Sequence, residues 1–133
     1  MKYLNMAYNP ERHNIKVTAK SEFRPNESDL NTNRYFFIYN IEISNLGNMP
    51  AKLLRRHWLI TNGDGKEEEV EGEGVVGQTP LILPNASYHY TSASIIGSPV
   101  GTMHGSYQFL SDDGTIFTAL IPAFTLAMPG IIH

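Results

Sequence analysis

The chain contains no cysteine among its 133 residues. Disulfide bonds, thiolate zinc sites and cysteine nucleophiles are therefore excluded, and stability does not depend on an oxidising compartment. Charged residues are also scarce, at 17% against about 25% in ordinary globular domains. The formal net charge is −3 and lysine and arginine form no long run, so no nucleic-acid partner is expected.

Long apolar runs are missing as well. No segment approaches the roughly 20 apolar residues that a membrane-spanning helix needs, and the first residues lack the apolar core of a secretion signal. A chain of this length can bury roughly two-thirds of its unfolded surface as one domain. We therefore expect a soluble, cytoplasmic, single-domain protein with no membrane partner.

No window repeats its apolar residues with the period of an α-helix, whereas several windows alternate apolar and polar residues as β-strands do. The clearest covers residues 34–45, where Tyr35, Phe37 and Tyr39 fall on one face. Residues 1–13 show no period and are predicted to be a flexible or partly docked arm before a single domain of residues 14–133. The other predicted strands cover residues 15–23, 51–61, 66–71, 87–92, 103–110 and 115–126.

Turn residues separate these strands. Residues 62–65 (NGDG) are typical of a tight hairpin, because Asn and Gly accept positive φ angles, and residues 111–114 (SDDG) form a second turn. Pro122 has no backbone N–H, so it predicts an edge position or a bulge in the last strand. About seven strands joined by such turns predict an all-β fold, an antiparallel β-sandwich.

The segment Gly72-Glu73-Gly74-Val75-Val76-Gly77 has the G-x-G-x-x-G spacing of dinucleotide-binding loops. That motif binds a pyrophosphate when a helix follows and directs its N-terminal dipole at the anion. Here Pro80 and Pro84 prevent such a helix. We therefore expect the three glycines to serve a tight or bulged turn, with a weak anion-binding nest as the alternative.

Arg55 and Arg56 are the candidates for completing such an anion site, since a guanidinium can hold two oxygens of a phosphate or carboxylate. Neighbouring residues of a strand point to opposite faces, so only one of the two is expected at a given site. Glu73 and the glutamates of residues 67–71 would repel an anion. The preferred interpretation is an ion pair between arginine and glutamate across the hairpin.

No catalytic constellation is visible. No serine lies in a nucleophile elbow, and residues 112–114 lack the further oxygens of a calcium loop. Trp58 is expected to pack between the sheets. We therefore predict no enzyme activity, no cofactor and no metal site, although convergence of two or three histidines stays open. The histidines, none in close ligand spacing, are His13, His57, His89, His104 and His133.

Several segments, in this order, resemble the ApaG domain family of bacteria. The likeness runs from about residue 15 to residue 133, nearly the whole chain. Asn85 and Ala93 stand where the family often has glycine, which concerns turn geometry more than any site. The matching segments are residues 53–63 (LLRRHWLITNG), 70–77 (VEGEGVVG), 90–92 (YTS), 99–107 (PVGTMHGSY) and 121–124 (IPAF).

The resemblance implies a fibronectin type III-like (immunoglobulin-like) sandwich. Related domains occur in eukaryotic F-box proteins and in a polymerase-delta-interacting protein, where the role resembles protein binding. In bacteria the gene often neighbours a diadenosine tetraphosphate hydrolase, and a link to cobalt resistance and magnesium efflux has been proposed. The family implies no agreed catalytic activity.

These observations predict a non-enzymatic binding module whose partner is another protein. The alternative is a protein linked to nucleotides, pyrophosphate or divalent metals, in dinucleoside polyphosphate metabolism or in cobalt and magnesium handling. It would use residues 72–77, with Arg55 or Arg56, as an anion site. Self-association is a further expectation, because Ile131, Ile132 and the strand that carries Pro122 offer apolar or edge surface.

Overall fold

The structure, a computed structural model, describes residues 8–130. This part of the chain forms eight strands, and its helical segments are two three-residue 3-10 turns at Pro25–Glu27 and Leu30–Thr32, so no described helix could cross a membrane. The strands are β1 (Ile15–Phe23), β2 (Tyr35–Asn45), β3 (Ala51–Asn62), β4 (Glu67–Glu73), β5 (Leu81–Ile82), β6 (Ser87–Ile96), β7 (Val100–Ser111) and β8 (Ile116–Ala127).

The strands form two sheets that pack face to face. One sheet has the order β1-β2-β6, and the other has the order β4-β3-β7-β8, with β5 pairing with the start of β3. Every strand pairing is antiparallel. The predicted antiparallel β-sandwich is confirmed, while the finer assignment to a fibronectin type III-like sandwich stays a prediction.

The core lies between the sheets and follows from the alternation in β2. Every second residue of this strand, from Tyr35 onward, is buried. Trp58 of β3 is 3% exposed, and its ring packs against the rings of Tyr39 and Phe124, with centroids 5.5 and 5.9 Å away. The prediction that Trp58 packs between the sheets is confirmed. Each fully buried large apolar side chain stabilises the fold by about 1.5–3 kcal/mol relative to exposure.

Pro122 lies in β8, the outer strand of its sheet. The register between β7 and β8 shifts there, because Met103 pairs with Phe124 whereas Gly105 pairs with Ile121. The extra residue in β8 forms a bulge, which accommodates a residue that cannot donate to the ladder. The prediction of an edge strand or a bulge at Pro122 is therefore confirmed on both counts.

Three features differ from the sequence prediction, and the first is that β7 begins at Val100 and not at the predicted residue 103. Strand β6 extends to Ile96, beyond the predicted limit of residue 92, because its last residues pair with the start of β2. The two-residue β5 is absent from the prediction because it lies between two prolines and is too short to show a period. Ile131, Ile132 and His133 lie outside the described residues, as do residues 1–7 of the predicted arm.

Candidate binding groove

Strands β4 and β6 each have one edge without a partner strand among the described residues. Strand β6 pairs only with β2, and β4 pairs only with β3. A cavity of about 380 Å³ separates the two strands and is lined from one side by Ser92, Ser94 and Ile95 and from the other by Glu68 and Val70. We call this feature the β4–β6 groove.

The floor of the groove is apolar and its ends are charged. Tyr39, Trp58 and Met103, all buried in the core, form the floor. Arg56 and Glu68 are the charged residues of the lining. A second cavity of about 290 Å³ shares Ile60, Glu68 and Ile95 with the first and adds Lys66 and Glu67, so the groove continues toward the β3–β4 hairpin.

Strand β4 supplies two different faces. Glu68, Val70 and Gly72 pair with Ile60, Trp58 and Arg56 of β3, which face the groove or the core. Glu69, Glu71 and Glu73 of β4 therefore lie on the outer face, since neighbouring residues alternate.

The expected ion pair between arginine and glutamate across this hairpin is wrong. His57 takes the position instead, with its Nε2 2.6 Å from a carboxylate oxygen of Glu69 and 3.9 Å from Glu71. Within residues 8–130, neither Arg55 nor Arg56 forms an ion pair. The reason is that Arg56 turns to backbone carbonyls and Arg55 stays exposed to solvent.

The half-buried Arg56 closes one end of the groove. Its Nη1 donates to the carbonyl oxygen of Glu73 at 2.9 Å and to that of Gly74 at 3.0 Å. The guanidinium occupies the space beside Gly72, where a Cβ would lie 2.9 Å from Nη1. Glycine at this position therefore leaves the space through which the arginine reaches the following turn.

Arg55 and Arg56 both contribute to the lining of one shallow cavity of about 240 Å³, beside His57 and Glu71. Only Arg56 also lines the β4–β6 groove, where it pairs with Gly72 of β4. This agrees with the alternation of neighbouring strand residues, which directs the two side chains to opposite faces.

Residues 72–77 end in a tight turn. Val76 and Gly77 have φ angles of 47° and 75°, and Val75 and Gln78 exchange backbone hydrogen bonds of 2.8 and 2.9 Å. The backbone N–H of Gly74 donates to Leu54. The N–H groups of Gly74, Val75 and Gln78 thus bond within the fold, which favours the structural interpretation of these glycines over an anion-binding nest.

Gly74 is the most constrained glycine of this turn. Its φ is 59°, and a Cβ there would lie 2.2 Å from the carbonyl oxygen of Gln78. Gly77 also has a positive φ, but the space around it is open. The G-x-G-x-x-G spacing therefore reflects backbone geometry at Gly74 and Gly77 and side-chain space at Gly72.

A pair of tyrosines joins the sheets beside the groove, and no local pattern in the sequence indicates it. The hydroxyls of Tyr90 in β6 and Tyr107 in β7 hydrogen-bond to each other. Burial raises the pKa of Tyr90 and, together with the neighbouring Tyr90 hydroxyl, raises the pKa of Tyr107, while Arg56 opposes both shifts. Both hydroxyls stay neutral at cellular pH and hold the sheets together.

The described histidines are spread over the molecule. His89 pairs with Glu42 at 2.9 Å on the three-stranded sheet, whereas His57 and the exposed His104 belong to the other sheet. His13 is buried against the β7–β8 turn. No group of three His, Asp or Glu side chains that could hold a metal ion occurs between residues 8 and 130.

The fold defines a β-sandwich domain in which the edges of β4 and β6 flank a groove, and the comparisons with known proteins identify its family. The ApaG domain matches residues 25–111, and the chain belongs to the ApaG domain family. The resemblance inferred from the sequence is confirmed.

Individual relatives share most of their length with this chain. It is 50% identical over 123 residues to Protein ApaG of Aromatoleum aromaticum, which covers 92% of this chain and 97% of that protein. It is 48% identical over 122 residues to Protein ApaG of Pseudomonas aeruginosa, with the same coverage. The crystal structure of a Bordetella pertussis protein assigned as ApaA is similar with a TM-score of 0.88 and 38% identity, over 91% of this chain and 98% of that one.

Proposed function

We propose that this protein is a non-enzymatic binding module that recognises another protein through the β4–β6 groove. The observation that carries the proposal is the open pair of strand edges on either side of an apolar floor. Unpaired strand edges offer backbone donors and acceptors to an extended partner segment, and pockets beside them select its side chains.

The polar groups around the groove support binding over catalysis. The raised pKa values of Tyr90 and Tyr107 keep both hydroxyls protonated, so neither is a ready base. Arg56 uses Nη1 to hold the turn at Glu73 and Gly74. Arg56 lines the groove and the tyrosine pair joins the sheets next to it, and a protein-binding module needs no activated acid or base from these groups.

The alternative, an anion site for nucleotide or pyrophosphate at residues 72–77, receives less support. The N–H groups of Gly74, Val75 and Gln78 donate within the fold. The outer face of β4 adds carboxylates beside the segment, which disfavour a phosphate. A role in divalent-metal handling has no such geometric support within the described chain, where no three-ligand cluster occurs.

A matched pair of variants tests the proposal. Ser94→Trp fills the groove, because Ser94 lines the cavity from β6. Leu120→Trp places the same side chain on β8, where Leu120 is already 74% exposed. Each protein is used to co-purify partners from native lysate, with mass spectrometry of proteins, nucleotides and metals.

We expect a protein partner that the wild type and Leu120→Trp retain and Ser94→Trp loses. Equal retention by both variants would show that the partner does not use the groove. Recovery of a stoichiometric nucleotide in place of a protein would favour the alternative function.

A further inference from the structure

Building on the proposed function, we infer that the β4–β6 groove takes an extended partner segment that adds to β6 as a strand. Every second side chain of this segment faces the inner face of β4, and three such side chains in a row are basic, apolar and acidic.

Strand β6 presents a backbone edge that is ready for pairing. The backbone N–H of Asn45 donates to Ala86, and the register continues from there as antiparallel pairs. Because hydrogen-bonded and non-hydrogen-bonded pairs alternate in such a ladder, Tyr90, Ser92 and Ser94 bond to β2. The N–H and C=O groups of the residues between them, Thr91, Ala93 and Ile95, are therefore directed to the open edge.

This edge lacks the protection that the other outer strands have. Charged residues, proline, bulges and covering segments are the usual means of blocking an edge. Strand β8 carries Pro122 and a bulge, and β4 carries five glutamates. Strand β1 lies beside β8, where the hydroxyl of Ser21 donates to the carbonyl of Thr125 at 2.6 Å. Strand β6 contains no lysine, arginine, aspartate, glutamate or proline, which favours a partner strand at this edge.

The position of an added strand follows from sheet geometry. It would lie about 4.8 Å from β6 in the plane of the same sheet, and about 10 Å from the facing sheet. That place is the cavity between β6 and β4. The added strand would cover Val70, which is only half-buried in the free protein, and would direct every second side chain at β4.

The inner face of β4 then specifies the chemistry of those side chains. It presents in order the carboxylate of Glu68, the apolar Val70, and the guanidinium of Arg56 in the space beside Gly72. Side chains on one face of a strand are about 7 Å apart, in β4 as in the added strand, so the two rows can face each other residue by residue. The complementary order is a basic, an apolar and an acidic side chain.

Both charges are available to a partner. Glu68 forms no ion pair within residues 8–130. The hydrogen bonds of Arg56 inside the described chain come from Nη1 alone, so Nη2 and Nε can donate to a carboxylate. Because opposite charges set orientation and exclude wrong partners, we expect the two groups to fix the register of the added strand.

A random dodecapeptide library displayed on mRNA, selected against the full-length protein, tests the inference and requires no identified partner. We expect enriched peptides with the basic, apolar and acidic residues at alternate positions. Binding should slow amide hydrogen exchange at Thr91, Ala93 and Ile95. A loss of enrichment, or enriched peptides without this alternation, would overturn the inference.

Two variants examine the edge and the charge separately. Ala93→Pro removes one outward N–H and should weaken the best peptide by about tenfold or more, whereas Ala93→Ser keeps the N–H and should bind as the wild type. Glu68→Lys should weaken binding by about fivefold, and a peptide with glutamate in place of its basic residue should recover most of that loss. Equal binding to Ala93→Pro, or no recovery with the exchanged peptide, would contradict strand addition in this register.

The outcomes separate this inference from the proposed function. A native partner that Ser94→Trp loses but Ala93→Pro and Glu68→Lys retain would leave the binding module standing and would overturn strand addition. Protection of β6 by a second copy of this chain, seen as concentration-dependent dimerisation, would also overturn it. A partner that Ser94→Trp retains as well as the wild type does would contradict both strand addition and the proposed binding function of the groove.

Discussion

The Nε2 of His13 lies 3.0 Å from Oδ2 of Asp113, although 100 residues separate them in the chain. The backbone N–H of Asn9 donates a hydrogen bond to Nδ1 of His13 at 2.8 Å. The proton of the ring is therefore on Nε2, and this N–H donates a hydrogen bond to the Asp113 carboxylate. The imidazole also stacks on Phe117, with ring centroids 5.0 Å apart. The segment before β1 is thereby fastened to the β7–β8 turn.

His13→Ala should destabilise the protein by about 2–4 kcal/mol, because it leaves a cavity beside Phe117 and removes the hydrogen bond to Asp113. His89→Ala is the matched control: it also breaks a histidine–carboxylate pair, but on an exposed surface, and should cost under about 1 kcal/mol. Urea denaturation measures both. Equal losses would show that burial of His13 adds nothing to the anchoring.

Asp113 should contribute a pH-dependent part of this stability. Burial raises the pKa of its carboxyl, but hydrogen bonds from the backbone and side chain of Thr115, from His13 and from Ser111 outweigh burial and hold the pKa well below its usual range. A pKa that is lower in the folded state stabilises the protein above the unfolded value, about 3.9, and the contribution fades as pH falls toward the folded value.

Asp113→Asn should therefore be less stable than the wild type at pH 7, and the difference in unfolding free energy should shrink below about pH 4. Denaturation at several pH values between about 7 and 2.5 measures the difference. A gap that stays constant or widens with acid would contradict the lowered pKa.

Strand positions are predictable because their signal is local. The alternation in β2 depends on neighbouring residues, and the turn at residues 62–65 on its own Asn and Gly. The same local argument places Trp58 in the core and Pro122 at a bulge. These features do not depend on which strands become neighbours.

The groove and the anchoring contact do depend on which strands become neighbours. Nothing near β6 in the sequence shows that it pairs with β2 and leaves one edge open. The sequence predicts an ion pair between one of the two arginines and a glutamate across the hairpin, but the turn after β4 brings two carbonyls within reach of Arg56. His13 shows no period or motif, since its partner Asp113 is distant in the chain.

Gly74→Ala and Gly77→Ala should separate close contact from backbone strain in the turn. Both glycines have positive φ, which costs other residues about 1–2 kcal/mol. A Cβ at Gly74 would in addition lie 2.2 Å from the carbonyl of Gln78, whereas Gly77 faces open space. We expect Gly74→Ala to lower stability by at least about 1 kcal/mol more than Gly77→Ala, as measured by thermal or urea denaturation.

Free nucleotide should bind this protein poorly. The N–H groups of Gly74, Val75 and Gln78 are engaged within the fold, and the glutamates of β4 repel phosphate. Titration of ATP or a dinucleoside polyphosphate, with and without magnesium, should give dissociation constants of roughly 1 mM or weaker, about −4 kcal/mol. Arg55→Ala, which changes an exposed side chain, should leave both this weak affinity and the melting temperature unchanged. Micromolar binding that Arg55→Ala abolishes while the melting temperature holds would make residues 72–77 a ligand site, and the binding-module proposal would then yield to the nucleotide-linked alternative.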